Sequence, residues 1–480
     1  MRRRRTAASV IALAATLSAP AWGQAGQIQT TPTTRPGSTP PPMRLTLDEA
    51  VAHALASSKT LATAAEAVQR ARGVVGEARS AGSPALNSNV TFTHLDQGSS
   101  FSIQTDPNSP PVTVPIVRQN QKAIDVSAVL PIDIAGQIGA AVQAAQFQEI
   151  ATRLDYNRAR NQLVLDVKSG YYDLLRARAF VDVAEQALRN AQDRVTTAEA
   201  TLRAGTGTRF DVLRAQTDVA NAQQTLISAR NAVNLATATL NNLLSLDQNT
   251  PIQTVEATGA PTEPAASTFD AAVAEAYQTR PEVYQADAQI RAAERGVVLA
   301  QRSVVPTLGV SWAFQYSPDA GGFAPKETSW AAVARLSLPL FDGGLAKART
   351  REARADVNTA RIAKQQTLDA VALDVRQNYL ALAEAQERLN VADAALTQAE
   401  EQYRLAQVRF KAGVTAVPGG SPLLEISDAQ TALTQAQTNQ VNARYDVQNA
   451  RARLDRAVGR YAFNGAAAPG LPAPADGGNQ

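Results

Sequence analysis

The residues best suited to chemistry in this chain are few, and they stand in two places. RAGTGTRFD, Arg203 to Asp211, sets Arg203, Arg209 and Asp211 around Gly205, and KAGVTAVPGGSPLLEISD, Lys411 to Asp428, sets Lys411, Glu425 and Asp428 around Gly413. Charges at that spacing can hold counter-charges or sit at helix ends, where Asp211 and Glu425 suit the positive N-terminus. They do not make a reaction centre, because no nucleophile-base pair, phosphate-binding glycine loop or metal-ligand spacing accompanies them. The absence of cysteine excludes disulfides, thiolate metal sites and a lipidated N-terminal Cys, and the two histidines, His53 and His94, lie in separate segments. No catalytic residue, metal or cofactor is expected. Gly205 and Gly413 are read as turn residues whose backbone angles other residues adopt at a cost.

Those turns need elements to carry them, and the flanking sequence supplies heptads. Val167, Leu174, Val181, Leu188, Val195 and Leu202 fall every seventh residue, as do the apolar Val375, Leu382, Leu389, Leu396, Tyr403 and Phe410. The segments after the turns repeat the rule at Val212, Val219, Leu226, Val233 and Leu240, and at Ile426, Leu433, Val447 and Leu454, with Gln440 the one break. The period predicts coiled-coil seams, so each turn is the tip of a helical hairpin. A helix from about Gly136 to Leu202 would be roughly 100 Å long at about 1.5 Å per residue.

Four short segments break the helical rhythm: Leu86 to Leu95, Ala123 to Leu130, Thr307 to Tyr316 and Trp330 to Leu338. In the third, Leu308, Val310, Trp312, Phe314 and Tyr316 alternate with Thr307, Gly309, Ser311, Ala313 and Gln315. A nine- or ten-residue strand with one apolar face has the length that a tilted barrel strand needs to cross a bilayer. A half-buried soluble sheet is the commoner meaning of any one such strand. Four of them, in a chain with 5% aromatic residues and no bulky core to pack on, favour lipid. Trp312 and Trp330 suit a membrane interface or burial between protomers. The Ser-, Pro- and Asn-rich segments Asp96 to Asn120 and Ser317 to Glu327 read as surface loops.

The N-terminus reads MRRRRTAASVIALAATLSAPAWGQ, with four arginines, an apolar run from about Ala7 to Leu17, and small residues suited to peptidase cleavage. It is predicted to be a signal peptide, since the run is shorter than the roughly 20 residues of a spanning helix. Its removal takes four arginines and moves the formal charge from +3 to −1, which leaves no basis for nucleic-acid binding. The predicted layout is therefore a signal peptide at 1–23, a disordered Pro-rich linker at 24–43, a first repeat at 44–248, an inter-repeat loop at 249–266, a second repeat at 267–460 and a disordered tail at 461–480. The duplication is visible in SPALNSNVTF against VPTLGVSWAF, with Pro84 and Pro306 222 residues apart, and in VLPIDIAGQIGA against SLPLFDGGLAKA, with Pro131 and Pro339 208 apart. Ala215 and Ala429 stand 214 apart because the second half inserts VPGGSP, Val417 to Pro422, or close to it.

An open sheet in lipid would leave edge N–H and C=O groups unpaired at several kcal/mol each, so closure must come from further copies of the chain. From Leu45 to Arg460 the duplicated order of strand pair, long helix and helix-turn resembles the TolC-type outer-membrane efflux family. That resemblance implies a mainly α fold with a transmembrane β-barrel portion, four strands and long coiled-coil helices per chain, and twelve strands plus a helical tunnel in a homotrimer. It implies an outer-membrane exit duct that passively conducts substrate, with a periplasmic adaptor protein and an inner-membrane transporter as partners and outer-membrane lipid around the barrel. It also implies a periplasmic gate at Asp211, Glu425 and Asp428, the positions that match the family's acidic entrance residues. Arg203, Arg209 and Lys411 stand near enough to pair with them, and the tips around Gly205 and Gly413 would meet the adaptor. The alternatives are a periplasmic adaptor, which would show one hairpin between soluble β domains, and a structural coiled-coil protein of the envelope.

Overall fold

The computed structural model describes residues 43–104, 110–255, 268–321, 326–412, 414 and 422–461. The first repeat runs β1 (Met43–Leu45), α1 (Leu47–Ser57), α2 (Lys59–Ser80), β2 (Ala85–His94), β3 (Ser99–Ile103), β4 (Val112–Val117), β5 (Asn120–Ile132), α3 (Gln137–Arg203) and α4 (Arg209–Leu243). The second runs β6 (Ile252–Thr254), α5 (Phe269–Thr279), α6 (Pro281–Gln301), β7 (Thr307–Tyr316), β8 (Thr328–Ser337), α7 (Leu345–Ala412) and α8 (Pro422–Val458). The predicted signal peptide, the predicted linker up to Pro42 and the predicted tail beyond Tyr461 lie outside the described residues.

Local chemistry sets the helix starts, and it repeats. Thr46 caps α1 with Glu49 returning the bond to its amide, and Thr268, 222 residues on, caps α5 by accepting from Ala271 N. The sheet-to-helix corners are also alike. Asp133 accepts from Gln137 N at 2.7 Å and Gly139 N at 3.1 Å; Asp342 accepts from Ala346 N at 2.7 Å and Gly344 N at 2.8 Å, amide bonds that hold its carboxyl below the usual range. Gly136 and Gly344, 208 apart, take φ values of 65° and 88°, where a side chain would be strained.

The long helices have 67 and 68 residues, and in the half of each nearest the hairpin tip the most buried positions are not the bulky ones. Ala177, Ala184, Ala191 and Ala198 form the buried stripe of α3, and Ala385, Ala392, Ala399 and Ala406 that of α7, each at seven-residue spacing. Leu188, Val195 and Leu396, on the predicted seam, are only half-buried within one chain, and Leu202 is exposed. Alanine lets the helix backbones approach closely, so the larger residues flank the contact instead of filling it. Ala198 meets Val212 and Ala215 of α4, as Ala406 meets Ile426 and Ala429 of α8. Higher up, Val167, Tyr171 and Leu174 pack with Leu45, Ala50, Leu240 and Ile252, and Val371, Val375 and Leu382 do the same with Ala272, Ala276 and Leu454.

The four predicted strands form one antiparallel sheet in the order β2-β5-β7-β8. Its register aligns the apolar faces: Leu86, Ala128, Trp312 and Ala332 share one rung, and Val126, Phe314 and Trp330 share the next. Asn89, Asp125, Gln315 and Ser329 share a rung of the opposite face. Both faces stay largely accessible, with Val90, Leu130, Trp330 and Leu336 among the exposed apolar side chains. Ten residues at about 3.3 Å, tilted, span about 25 Å, the height of a lipid-facing band. Among the described residues, no helix is long and apolar enough to cross a membrane.

The structure departs from the sequence-based layout in four places. Met43, assigned to the linker, begins β1, which pairs in parallel with β6 inside the expected inter-repeat loop. Tyr171 fastens that pair by donating to Leu45 O at 3.0 Å and Val255 O at 2.6 Å. The segment Asp96 to Asn120 holds the hairpin β3-β4 as well as loop, and β5 starts at Asn120, not Ala123. Tyr461 is placed as well, with its hydroxyl donating to Ala452 O at 2.7 Å and Lys168 Nζ 4.3 Å from its ring centroid. Strands of three to six residues are too short to show a clear period, and Tyr461 is held in part by Lys168, far away in sequence.

Two substitutions test the account. Val310→Pro should block membrane insertion, because Val310 sits between Leu130 and Ala334 in an interior strand and proline removes a ladder hydrogen bond; fractionation that finds the variant inserted normally would contradict it. Ala198→Leu should destabilise the hairpin by about 1–3 kcal/mol through overpacking, read as a lowered unfolding temperature.

Candidate functional site: the helix-hairpin tips

The first tip is a closed hydrogen-bonded turn. Gly205, at φ 76°, donates from its amide to Leu202 O at 3.1 Å, and Thr206 N and Gly207 N both reach Thr201 O at 3.0 Å. Gly207 is packed so tightly that a Cβ there would lie 2.6 Å from Thr201 Oγ1. Thr208 then caps α4: Asp211 N donates to Thr208 Oγ1 at 3.2 Å, while Asp211 Oδ2 accepts from Thr208 Oγ1 at 2.7 Å and Thr208 N at 3.1 Å. Asp211 is thus held by the capping box of its own helix.

At the second tip, Glu425 in the first turn of α8 takes a 2.6 Å hydrogen bond from Arg409 Nη1, in the last turn of α7. Lys411, the cation expected near it, is two residues further on; at about 100° per residue that places it across the helix, and it is exposed. Asp428 is exposed and pairs with none of the described cations. Arg203 and Arg209 are also exposed and pair with no described carboxylate. Gly413 and the turn from Thr415 to Ser421 lie outside the described residues.

The structure adds a contact between repeats. Ser427 of α8 donates to Asp218 Oδ2 of α4 at 3.1 Å, and Arg194 Nη2 of α3 lies 3.6 Å from the same oxygen. Arg194, Asp211, Asp218, Phe210 and Leu424 line a cavity of about 130 Å³ there. Arg194 keeps only 12% side-chain exposure, and its Nε and Nη1 find no hydrogen-bond partner among the described residues. A level above, Asn190 Nδ2 donates to Gln430 Oε1 at 2.9 Å. The signal for Asp218 was its place one heptad after Asp211; nothing within either repeat indicated that α8 would lie against α3.

At the far end, Trp312 stacks on Phe314 with centroids 6.3 Å apart and planes 14° apart, and Trp330, 71% exposed, stands opposite Phe314. Tyr316 is on the same face, so aromatic residues collect in the half of the sheet nearest the loops, as at a membrane-water boundary. Among the described residues, no group of three or more His, Asp or Glu is placed to hold a metal ion.

A sequence model described as "Outer membrane efflux protein" matches residues 50–245 and 272–460, one segment for each repeat. The pyoverdine export outer membrane protein OpmQ of Pseudomonas putida is 26% identical over 349 residues, 70% of each chain. The structure of the Campylobacter jejuni CmeC outer membrane channel aligns with a TM-score of 0.70 at 17% identity, covering 88% of this chain and 87% of that one. The open-state Neisseria gonorrhoeae MtrE outer membrane channel aligns at 0.68 and 19%, covering 86% and 88%.

The tip geometry yields two expectations. Thr208→Ala should loosen the start of α4 by about 1 kcal/mol, visible as faster protease nicking near Gly205. Arg409→Ala should change global stability by less than about 1 kcal/mol, because this pair is partly solvent-exposed, and thermal unfolding should scarcely move.

Proposed function

The chain belongs to the outer membrane efflux protein family, and from that premise we propose that it is the exit duct of a multicomponent export system, closed as a homotrimer of twelve strands. It is an outer-membrane protein whose family relatives are channels and not enzymes. The observation that carries the trimer is the sheet itself: four strands, one apolar face, and free outer sides on β2 and β8 among the described residues. In hydrocarbon those sides must pair, and copies of the same chain offer β8 to β2 without any new surface. The 67- and 68-residue helices then extend the pore away from the membrane for roughly 100 Å.

The hairpin tips form the periplasmic entrance in this reading. Three copies place Asp211, Glu425 and Asp428 in rings of three, with Asp428 carrying most of the field because Arg409 faces Glu425 and Asp211 is engaged by Thr208. Gly205 and Gly413, with Arg203, Arg209 and Lys411 beside them, lie where a periplasmic adaptor would dock, and the adaptor would link the duct to an inner-membrane transporter. The exposed Phe210 and Leu213 give that contact an apolar component. OpmQ is named for pyoverdine export; the cargo here follows from whichever pump the duct serves.

Mass measurement in detergent should give three chains, and a folded, membrane-inserted monomer would contradict the duct. Reconstituted channels should favour cations and be blocked by multivalent cations from the tip side. Asp428→Ala with Glu425→Ala should weaken both effects while trimers persist; unchanged selectivity and block would mean that these carboxylates are only solvated helix-end charges.

A further inference from the structure

The polar face of the sheet is almost without charge, and the exceptions stand six residues apart along the strands. Of all its positions on β2, β5, β7 and β8, only Asp125 and Arg335 are ionisable. Asp125 lies on the rung of Asn89, Gln315 and Ser329, in the middle of β2 and β5 and one residue from the loop ends of β7 and β8. Arg335 lies opposite Gly309, which in turn lies opposite Pro131, near the helix end. A Cβ on Gly309 would have nothing within 4 Å, so the space beside the guanidinium is open. Neither residue forms an ion pair with a described residue, and Arg335 is exposed. Six residues of β8 separate Ser329 from Arg335, about 20 Å along the strand, which is more than two Debye lengths at physiological salt. The two charges therefore do not cancel each other.

We propose that Asp125 and Arg335 make the barrel lumen bipolar, with a carboxylate ring on the loop side and a guanidinium ring at the tunnel end, so that the barrel adds two local potentials of opposite sign to the cation preference set at the tips. The proposal rests on the trimeric duct, which turns each residue into three. A solute with charge of one sign is attracted at one ring and repelled at the other. A zwitterion turns the opposite charge toward each ring in succession. Residues of both signs on one lumen wall thus turn a dipolar solute along the barrel axis, which a neutral lumen or one of a single sign would not do.

The chain has no cysteine, so one introduced thiol is the sole reactive one. Ser127→Cys places a probe one inward position from Asp125, and Val333→Cys places one next to Arg335. Full-length trimers in liposomes are treated at physiological ionic strength with a cationic and an anionic methanethiosulfonate, and the ratio of rates is divided by that of free cysteine. The cationic reagent should gain at least about threefold at Ser127→Cys, and the anionic reagent should gain comparably at Val333→Cys. Asp125→Asn should return the first ratio to that of free cysteine and Arg335→Gln the second, and salt near 1 M should remove both preferences. Labelled trimers whose ratios match free cysteine, or do not respond to the neutral substitutions, would overturn the bipolar lumen. Thiols that react only after unfolding would instead show that this face does not line an open duct, and would overturn the premise together with the proposal.

Discussion

An open β-sheet cannot rest in hydrocarbon, and this constraint organises the chain. Each unpaired edge group costs several kcal/mol in lipid, and β2 and β8 present a whole edge apiece. Pairing with another copy removes that cost along the full strand. Closure then fixes which face meets lipid and which meets the lumen, because successive side chains point to opposite sides. In the proposed trimer the same closure would bring three pairs of helical hairpins around one axis, so that the tips would become an entrance. The duplicated sequence serves this geometry, since each repeat supplies two strands and one long hairpin.

The helices answer a second constraint, that of close lateral packing over a great length. The alanine stripe of α3 from Ala177 to Ala198, matched by Ala385 to Ala406 in α7, brings backbones together without bulky side chains between them. Larger residues flank the stripe and remain half-buried in one chain, available for packing against neighbouring copies. The corners where sheet becomes helix are held by Asp133 and Asp342, which satisfy the otherwise free amides of α3 and α7, and by glycines at positive φ. Gln137 and Arg302 tie the two repeats together at this level: Gln137 Nε2 donates to Arg302 O at 2.6 Å and Arg302 Nη1 to Gly136 O at 2.7 Å.

Much of this was legible in the sequence because it is periodic. A period of two located β7 at Thr307 and Tyr316 and the other three sheet strands to within a few residues, and a period of seven located α3 to within one. The offsets between the repeats showed where the second tip is longer. What was not legible depends on which elements become neighbours. Alanine and leucine both recur every seventh residue in α3, and only the helix separation decides which set is buried. Arg409, not Lys411, reaches Glu425 because the facing side of α7 is set by its packing on α8. The Arg194, Asp218 and Ser427 contact joins α3, α4 and α8 across the repeat boundary, which no pattern within one repeat can show.

Hydrogen exchange on the membrane-inserted protein tests the central claim most directly, because edge pairing is a statement about particular amides. In β8, alternate amides face β7 and face outward. If copies of the chain close the sheet, both sets should exchange as slowly as those of the interior strands β5 and β7. Fast exchange confined to the outward amides of β8 and of β2 would contradict the account, since it would mean that the sheet keeps open edges and that no barrel has formed.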